Sequence, residues 1–259
     1  MLLAHISDFH IFADAPESYL VRRDATNVAR KVIADITEHI PAFDAVIFTG
    51  DLTDGGSTED YELLKEILAP LKMPVFAIPG NHDNREKMRV AFLGIIPFET
   101  GPNLNYEAIV QDLRVLALDT LVDDAVHGAI NSNQLDWLQN KLAKQHSGPT
   151  IIAMHHPPFP SGVTAYDNIS LKYGKERFGK IISAYDAQLT ILAGHIHRPF
   201  QAIWHGAFCQ VGGGTSFQHG LDLRPEAADP GGVSEPYAYP VIKFDGSKQL
   251  ISHIRYVSL

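Results

Sequence analysis

The chain has 259 residues, of which 45% are hydrophobic and 20% charged, an ordinary globular balance with enough length for a sizeable core. Its formal net charge is −9 and no Lys/Arg cluster stands out. A grip on the backbone of long nucleic acid is therefore disfavoured, whereas a small charged substrate held through metal ions stays open.

The first expected element is a strand, Leu2 to Ile6, ending at Ser7-Asp8. The opening MLLAHISDFH has neither a basic n-region nor a long apolar h-region, and no apolar run approaches the roughly 20 residues that cross a bilayer. A soluble, cytoplasmic protein without a membrane partner is expected. Arg22 to Ile40 predicts a helix, because Val28, Val32, Ile36 and Ile40 recur every four residues and Pro41 closes the run. Ala45 to Phe48 predicts a buried strand ending at Thr49-Gly50-Asp51. Ser57 is an N-cap for a helix to about Leu68, and Val75 to Ile78 is a third strand. Strands that are apolar throughout and alternate with helices indicate a parallel sheet covered on both faces.

Tyr106 to Val110 and Val115 to Leu118 form a candidate hairpin. Asn131 and Gln134 resemble a capping box for a helix carrying Leu135, Leu138 and Leu142. Thr150 to Met154 is a buried strand ending at His155-His156-Pro157-Pro158. Leu171 to Ala184 is weakly helical, and Leu189 to Ala193 is a strand ending at Gly194-His195-Ile196-His197. Strands are expected again at Gln201 to Trp204, Ala207 to Val211, Ala238 to Phe244 and Leu250 to Val257, with a long Gly- and Pro-rich loop over 212–236. The lone cysteine, Cys209, falls in one of these runs as a small core residue. It excludes an internal disulfide framework and fits a reducing compartment. No repeat and no linker interrupts the chain, so a single domain over 1–259 is expected.

The chain carries 13 His, and six of them stand with Asp and Asn at five strand ends. These are Asp8 with His10, Asp51, Asn81 with His82, His155 with His156, and His195 with His197. Each motif alone is accounted for by an ordinary turn, since Pro, Gly, Asn and Asp are turn residues. Their recurrence at one edge of an α/β sheet is harder to ascribe to turns, because that edge is where such folds place their chemistry. Asp and His with one amide make a mixed oxygen and nitrogen site, suited to Mn, Fe, Zn or Co, and the lack of thiolate fits a hydrolytic centre better than a structural zinc. A lone carboxylate between two clusters, Asp51, can bridge two cations. A pair about 3.5–4 Å apart can clamp a phosphoryl group and turn a bridging water into hydroxide.

These blocks (Asp8-x-His10, Gly50-Asp51-x-x-Asp54, Gly80-Asn81-His82-Asp83, His155-x-Pro157 and Gly194-His195-x-His197) resemble the calcineurin-like metallophosphoesterases, in the family's order. The opening MLLAHISDFH, the IPGNHD block and the MHHPPFPSG block are similar to those of the bacterial class III cyclic-nucleotide phosphodiesterases and related glycerophosphodiesterases. The resemblance implies an α/β fold, a four-layer αββα sandwich of two packed mixed sheets flanked by helices, with residues 200–259 completing the second sheet. It implies two divalent metal ions, one held by Asp8, His10, Asp51 and His197 and the other by Asp51, Asn81, His155 and His195. Asn81 and His82 would act on the phosphate, His82 protonating the leaving oxygen while a metal-bridging hydroxide attacks phosphorus. Asp83 either orients His82 or caps its turn, as Asp54 caps its own, and His156 packs behind the ligands.

The activity so implied is hydrolysis of small phosphodiesters, 3′,5′-cyclic nucleotides or glycerophosphodiesters. A phosphomonoesterase or protein phosphatase and a DNA repair nuclease of the same superfamily are the enzymatic alternatives. The size and the His-His-Pro-Pro block argue against a protein phosphatase, and the net charge of −9 argues against the nuclease. A non-catalytic scaffold of the same fold is set against the completeness of the ligand set. Relatives in the branch are often dimers or larger, an analogy that leaves the homo-oligomeric state of this chain open. Phe159, Tyr166, Asp167, Phe217 and His219 flank the blocks, either as pocket walls or as packing.

Overall fold

The apolar run Leu2–Ile6 forms β1, followed by α1 (Ala25–Glu38), β2 (Ala45–Thr49), α2 (Thr58–Leu68), β3 (Val75–Ile78) and α3 (Arg85–Ala91). Next come β4 (Tyr106–Val110), β5 (Leu113–Leu118), the short β6 (Gly128–Ala129), α4 (Ser132–Leu142) and β7 (Thr150–Met154). The chain continues through α5 (Thr164–Ile169), β8 (Leu171–Tyr173), α6 (Lys175–Ser183), β9 (Leu189–Ala193), β10 (Phe200–Trp204) and β11 (Ala207–Val211). It ends with β12 (Gln218–His219), β13 (Gly232–Val233), β14 (Tyr237–Phe244) and β15 (Leu250–Val257). This computed structural model describes residues 1–224, 230–245 and 249–258.

Two mixed sheets make the centre. One has the order β15-β14-β1-β2-β3 and the other β10-β11-β9-β7-β5-β4. The pairings β1 with β2, β2 with β3, β5 with β7, β7 with β9 and β9 with β11 are parallel, and those of β14 with β1 and β15, β10 with β11 and β4 with β5 are antiparallel. β2, β5, β7 and β9 are buried along their whole length, which is why they read as continuous apolar runs. The sheets meet face to face where β2 touches β7 and β3 touches β5. Helices flank them, α1 packing with α2 and α2 with α3 on one side, α4 with α6 on the other. The expected αββα architecture is what the chain adopts.

Local chemistry sets the helix boundaries. In α1, Ala25, Val28, Ala29, Val32, Ile33 and Ile36 form the buried stripe. The helix is shorter than the predicted Arg22 to Ile40. Arg22 and Asp24 pair with each other at 2.9 Å ahead of it, and Ile40 precedes a proline and is steered out of helical geometry. α2 and α4 begin with the expected capping boxes, Ser57 with Asp60 and Asn131 with Gln134.

Three expectations change. Leu171 to Ala184 is not one helix: Leu171–Tyr173 pairs with β6, and Gly174, at φ +81°, turns the chain before α6 starts. The C-terminal strands do not all complete the second sheet. β10 and β11 join it through β9, whereas β14 and β15 cross to the first sheet and pair with β1. The 212–236 stretch, expected as a loop, carries the small β12–β13 ladder, and its residues 225–229 lie outside the described residues. The helices α3 and α5, of 7 and 6 residues, were not expected, being too short to show a period.

Candidate metal centre

β1, β2, β3, β7 and β9 deliver their following residues to one edge between the two sheets. Beyond the strands, the chains after β1 and β2 keep running side by side: Asp8 N donates to Gly50 O at 3.0 Å, His10 N to Asp51 O at 3.0 Å and Ile11 N to Leu52 O at 3.1 Å. That course holds Asp8, His10 and Asp51 at positive φ, +57°, +47° and +47°, and His195 and His197 are at +71° and +52°. Left-handed backbone at a non-glycine residue costs about 1–3 kcal/mol and collects at functional sites. Two glycines are demanded by close approach. A Cβ on Gly80 would lie 2.2 Å from Asp51 Oδ1, and one on Gly194 would lie 1.9 Å from Ser7 Oγ.

The His side chains converge in a defined tautomer pattern. His155 Nδ1 lies 2.7 Å from Thr49 O, His197 Nδ1 3.1 Å from Phe217 O, His195 Nε2 3.0 Å from Ile169 O and His10 Nδ1 3.0 Å from Asp54 Oδ1. A carbonyl or carboxylate oxygen only accepts, so each of those nitrogens carries a proton, and in the neutral form of each ring the lone pair points inward. Inside, His10 Nε2 is 3.2 Å from His197 Nε2, and His155 Nε2 is 3.2 Å from His195 Nδ1. Asp51 Oδ2 lies between the two pairs, 3.4 Å from His10 Nε2 and 3.2 Å from His155 Nε2. Asp8 Oδ1 is 3.4 Å from His197 Nε2, and Asn81 Oδ1 is 3.1 Å from His155 Nε2.

Lone pairs facing lone pairs and carboxylates repel unless positive charge sits among them. The ionisation of the cluster expresses the same demand. Burial opposes charge on His155, yet Asp51 and Asp8 raise it to about 9, whereas burial and the charge on His155 push His195 down to about 3. Burial and the neighbouring Asp51 raise Asp8 to about 6. Asp8, His10, Asp51 and His197 form one set of donor atoms within 4.8 Å of one another, and His155, His156 and His195 form another. These residues fit divalent cations, with the outward nitrogens already fixed by oxygen acceptors.

Of the two expectations for Asp83, orienting His82 or capping its turn, the structure matches the cap, with Gly80 N donating to its carboxylate at 2.9 Å. Asp83 makes no hydrogen bond to the His82 ring among the described residues. Its carboxylate turns to the backbone amides of Leu52, Thr53 and Gly80. His82 Nδ1 is instead 3.0 Å from Asp54 O and 3.3 Å from Asp54 Oδ1, and its side chain, 31% exposed, is more open than those of His10, His155 and His197. Asp54 is more than a turn cap, because Oδ1 holds both His10 and His82 while Oδ2 accepts from Glu17 N and Ser18 N. Burial works against charge on His82, but Asp51 and Asp54 raise it to about 10. His156 has its Nδ1 2.8 Å from Thr120 Oγ1 and its ring 4.5 Å from that of His195.

Phe217 stacks on His197 with ring centroids 3.8 Å apart and reaches the centre's wall. Tyr166 and His219 pair with each other at 4.9 Å, and His219 stands edge-on to His197 at 5.8 Å. Phe159 is buried against Phe200, and Asp167 ties down Ser161, so these two are packing and loop structure. The carbonyls of Thr49, Ile169 and Phe217 carried no signal in the sequence, because any residue type supplies a carbonyl.

Residues 1–199, which contain every one of these donors, match the family model of the calcineurin-like phosphoesterases. The chain belongs to that family. This phosphoesterase is 30% identical over 259 residues to a probable glycerophosphodiester phosphodiesterase of Arcobacter nitrofigilis, covering 99% of this chain and 93% of the relative. It is 31% identical to a cAMP/cGMP dual specificity phosphodiesterase of Mycobacterium tuberculosis, covering 86% and 70% of the two chains. It is also 31% identical to the 3′,5′-cyclic adenosine monophosphate phosphodiesterase of Haemophilus influenzae, covering 79% and 72%. Among solved structures, a dimetal phosphatase from Danio rerio superposes with a TM-score of 0.76 at 16% identity, covering 99% of this chain and 96% of that one, a likeness of fold. Among the described residues of this phosphoesterase, no helix is long and apolar enough to cross a membrane.

Proposed function

We propose that this phosphoesterase hydrolyses small phosphodiesters, 3′,5′-cyclic nucleotides or glycerophosphodiesters, at a two-cation centre. The observation that carries the reading is Asp51 Oδ2, set between two separate pairs of inward-facing ring nitrogens. In this reading Asp8, His10, Asp51 and His197 hold one cation, and Asp51, Asn81, His155 and His195 hold the other. The mixed oxygen and nitrogen donors suit Mn, Fe, Zn or Co. Two such cations supply Lewis acidity toward the phosphoryl oxygens and an activated water.

The chain's own groups do the rest. The Asn81 side chain keeps its amide N–H available to a phosphoryl oxygen while its Oδ1 faces the centre. His82 is held at Nδ1 by Asp54, so that Nε2, which has no hydrogen bond among the described residues, faces outward with a proton to donate. Delivered to the departing alkoxide, that proton makes a poor leaving group tractable. Small diesters with alkyl alcohol leaving groups are the substrates that need it, and the names of the relatives agree with that class.

The test is turnover by metal-free protein reconstituted separately with Mn²⁺, Fe²⁺, Co²⁺ and Zn²⁺. Bis(p-nitrophenyl) phosphate, p-nitrophenyl phosphate, 3′,5′-cyclic AMP and a glycerophosphodiester are offered beside an Asn81→Ala control. Metal-dependent diester cleavage that collapses in the control is expected. Preference for the monoester would favour a phosphomonoesterase. Silence with metals verified as bound would favour the scaffold.

A further inference from the structure

We propose that Asp83 is a positioning residue that sets the Asn81–His82 turn in register with the Asp51 loop. The inference rests on the diesterase reading for its kinetic arm and on the two-cation reading for its metal-binding arm. Asp83 is 8% exposed, and no catalytic contact involves it. Its Oδ2 accepts from Gly80 N at 2.9 Å and Leu52 N at 3.0 Å. Its Oδ1 accepts from Thr53 N at 3.1 Å, Thr53 Oγ1 at 3.0 Å and Tyr61 OH at 3.0 Å. Leu52 directly follows the bridging carboxylate, and Gly80 directly precedes Asn81. One carboxylate thus clamps the residues adjoining two groups that meet at the centre.

No Lys, Arg or His forms an ion pair with Asp83 among the described residues. The charge is met by N–H and O–H dipoles alone, as in an anion-binding nest. Burial and the nearby Asp51 both raise its pKa, so the position is not one that favours a carboxylate electrostatically. What recommends a carboxylate is its two acceptor oxygens without a donor. An apolar residue would leave three buried amides unpaired at about 1–3 kcal/mol each. An amide could satisfy one side only, since both oxygens face backbone N–H groups.

Tyr61 extends the clamp. Its hydroxyl donates to Asp83 and accepts from Asn84 N at 2.9 Å, so α2 grips the far end of the same turn. A third bond ties the turn to the centre, His82 N to Asp51 Oδ1 at 2.9 Å. Loosening Asp83 lets Asn81 and His82 drift relative to Asp51, which is felt where their placement matters. Two readouts follow: proton delivery to the leaving group, and the donor that Asn81 adds to one cation.

The experiment compares wild type, Asp83→Asn and Tyr61→Phe, the last removing a single donor in case Asp83→Asn folds poorly. Turnover is measured on bis(p-nitrophenyl) phosphate, whose leaving group needs little protonation, and on a glycerophosphodiester, whose alcohol needs it. Mn²⁺ binding to the metal-free proteins is measured by calorimetry. The expected result is a roughly 10- to 100-fold loss of kcat on the alkyl diester, a several-fold smaller loss on the nitrophenyl diester, and one of two Mn²⁺ affinities weakened about tenfold. Equal losses on both substrates would make Asp83 merely structural and overturn the proposal, as would no loss. Failure of the wild type on every diester would refute the diesterase reading separately. The Mn²⁺ titration would then decide alone, with unchanged affinities overturning the proposal and a weakened one supporting it.

Discussion

Gly80→Ala asks whether the centre tolerates a displacement of about one ångström. The new Cβ would stand 2.2 Å from Asp51 Oδ1, 2.3 Å from Asp51 N and 2.8 Å from Asp51 Cγ. The shortest of these falls about 1.2 Å short of the 3.4 Å at which ordinary contact begins, and two of the three atoms belong to the Asp51 carboxylate, which lies between His10 and His155. The backbone nitrogen cannot rotate away as a side-chain tip can, so the β2 loop and the β3 turn must part. Overpacking of this kind costs about 1–3 kcal/mol. Misplacement of reacting groups by about 1 Å costs on the order of 100-fold in rate. The comparison is Gly232→Ala, where the nearest atom would be Gln218 O at 3.9 Å, ordinary contact at a glycine without positive φ. With both variants folded by circular dichroism, metal-reconstituted turnover of bis(p-nitrophenyl) phosphate should fall about 100-fold for Gly80→Ala and change less than twofold for Gly232→Ala. Wild-type turnover by Gly80→Ala would refute the placement of Asp51 against the turn.

Asp54→Asn should lower kcat on alkyl diesters more than on nitrophenyl diesters, because Oδ1 steadies both His10 and His82; an equal fold-loss on the two would remove Asp54 from that role. Chelation should lower the melting temperature of the loaded protein, since a cation present at about 100 times its Kd adds roughly 2.7 kcal/mol of stability; an unchanged melting curve would argue against a resident cation. Ser57→Ala should cost about 1 kcal/mol in urea unfolding without changing turnover, through loss of the α2 cap. Asp35 is held below the usual carboxylate range by its hydrogen bonds from Arg255, at 2.6 Å each, although burial opposes this. A depressed folded pKa stabilises above the unfolded value of about 4, and the gain is lost as pH falls through the folded value. Asp35→Asn should therefore narrow the stability gap to wild type between pH 6 and pH 2, by roughly 1 kcal/mol, and a gap that stays constant over that range would refute the pairing.

The core strands β2, β5, β7 and β9 were legible because they are buried along their whole length and read as short apolar runs bounded by turn residues. Arg114 in β5 is the instructive exception. It is 2% exposed, yet its guanidinium is fully occupied by the carbonyls of Lys141 and Lys144, Thr150 Oγ1 and Tyr185 OH, so it serves as a cap for the end of α4 from within a strand. The crossing of β14 and β15 to the first sheet was not legible, because alternation reports that a strand has a buried face and not which sheet receives it.

The same distinction divides the site. Donor side chains can be read from a sequence when their spacing after strand ends is regular, and all of Asp8, His10, Asp51, Asn81, His155, His195 and His197 meet at one edge. What aims them is written elsewhere: in the carbonyls of Thr49, Ile169 and Phe217, in the left-handed backbone at Asp8 and His197, and in Asp83. Asp83 shows the difficulty most plainly. Its place beside His82 in the sequence suggests that it serves that ring, yet a turn sends adjacent side chains apart, and the carboxylate reaches back to Leu52 and Thr53 instead. Asp54, 28 residues before His82, stands beside the ring, and Asp83 takes the turn-capping alternative. Sequence adjacency in a turn therefore says little about shared chemistry, and the partner of a side chain such as His82 is better sought on the loop that runs beside it.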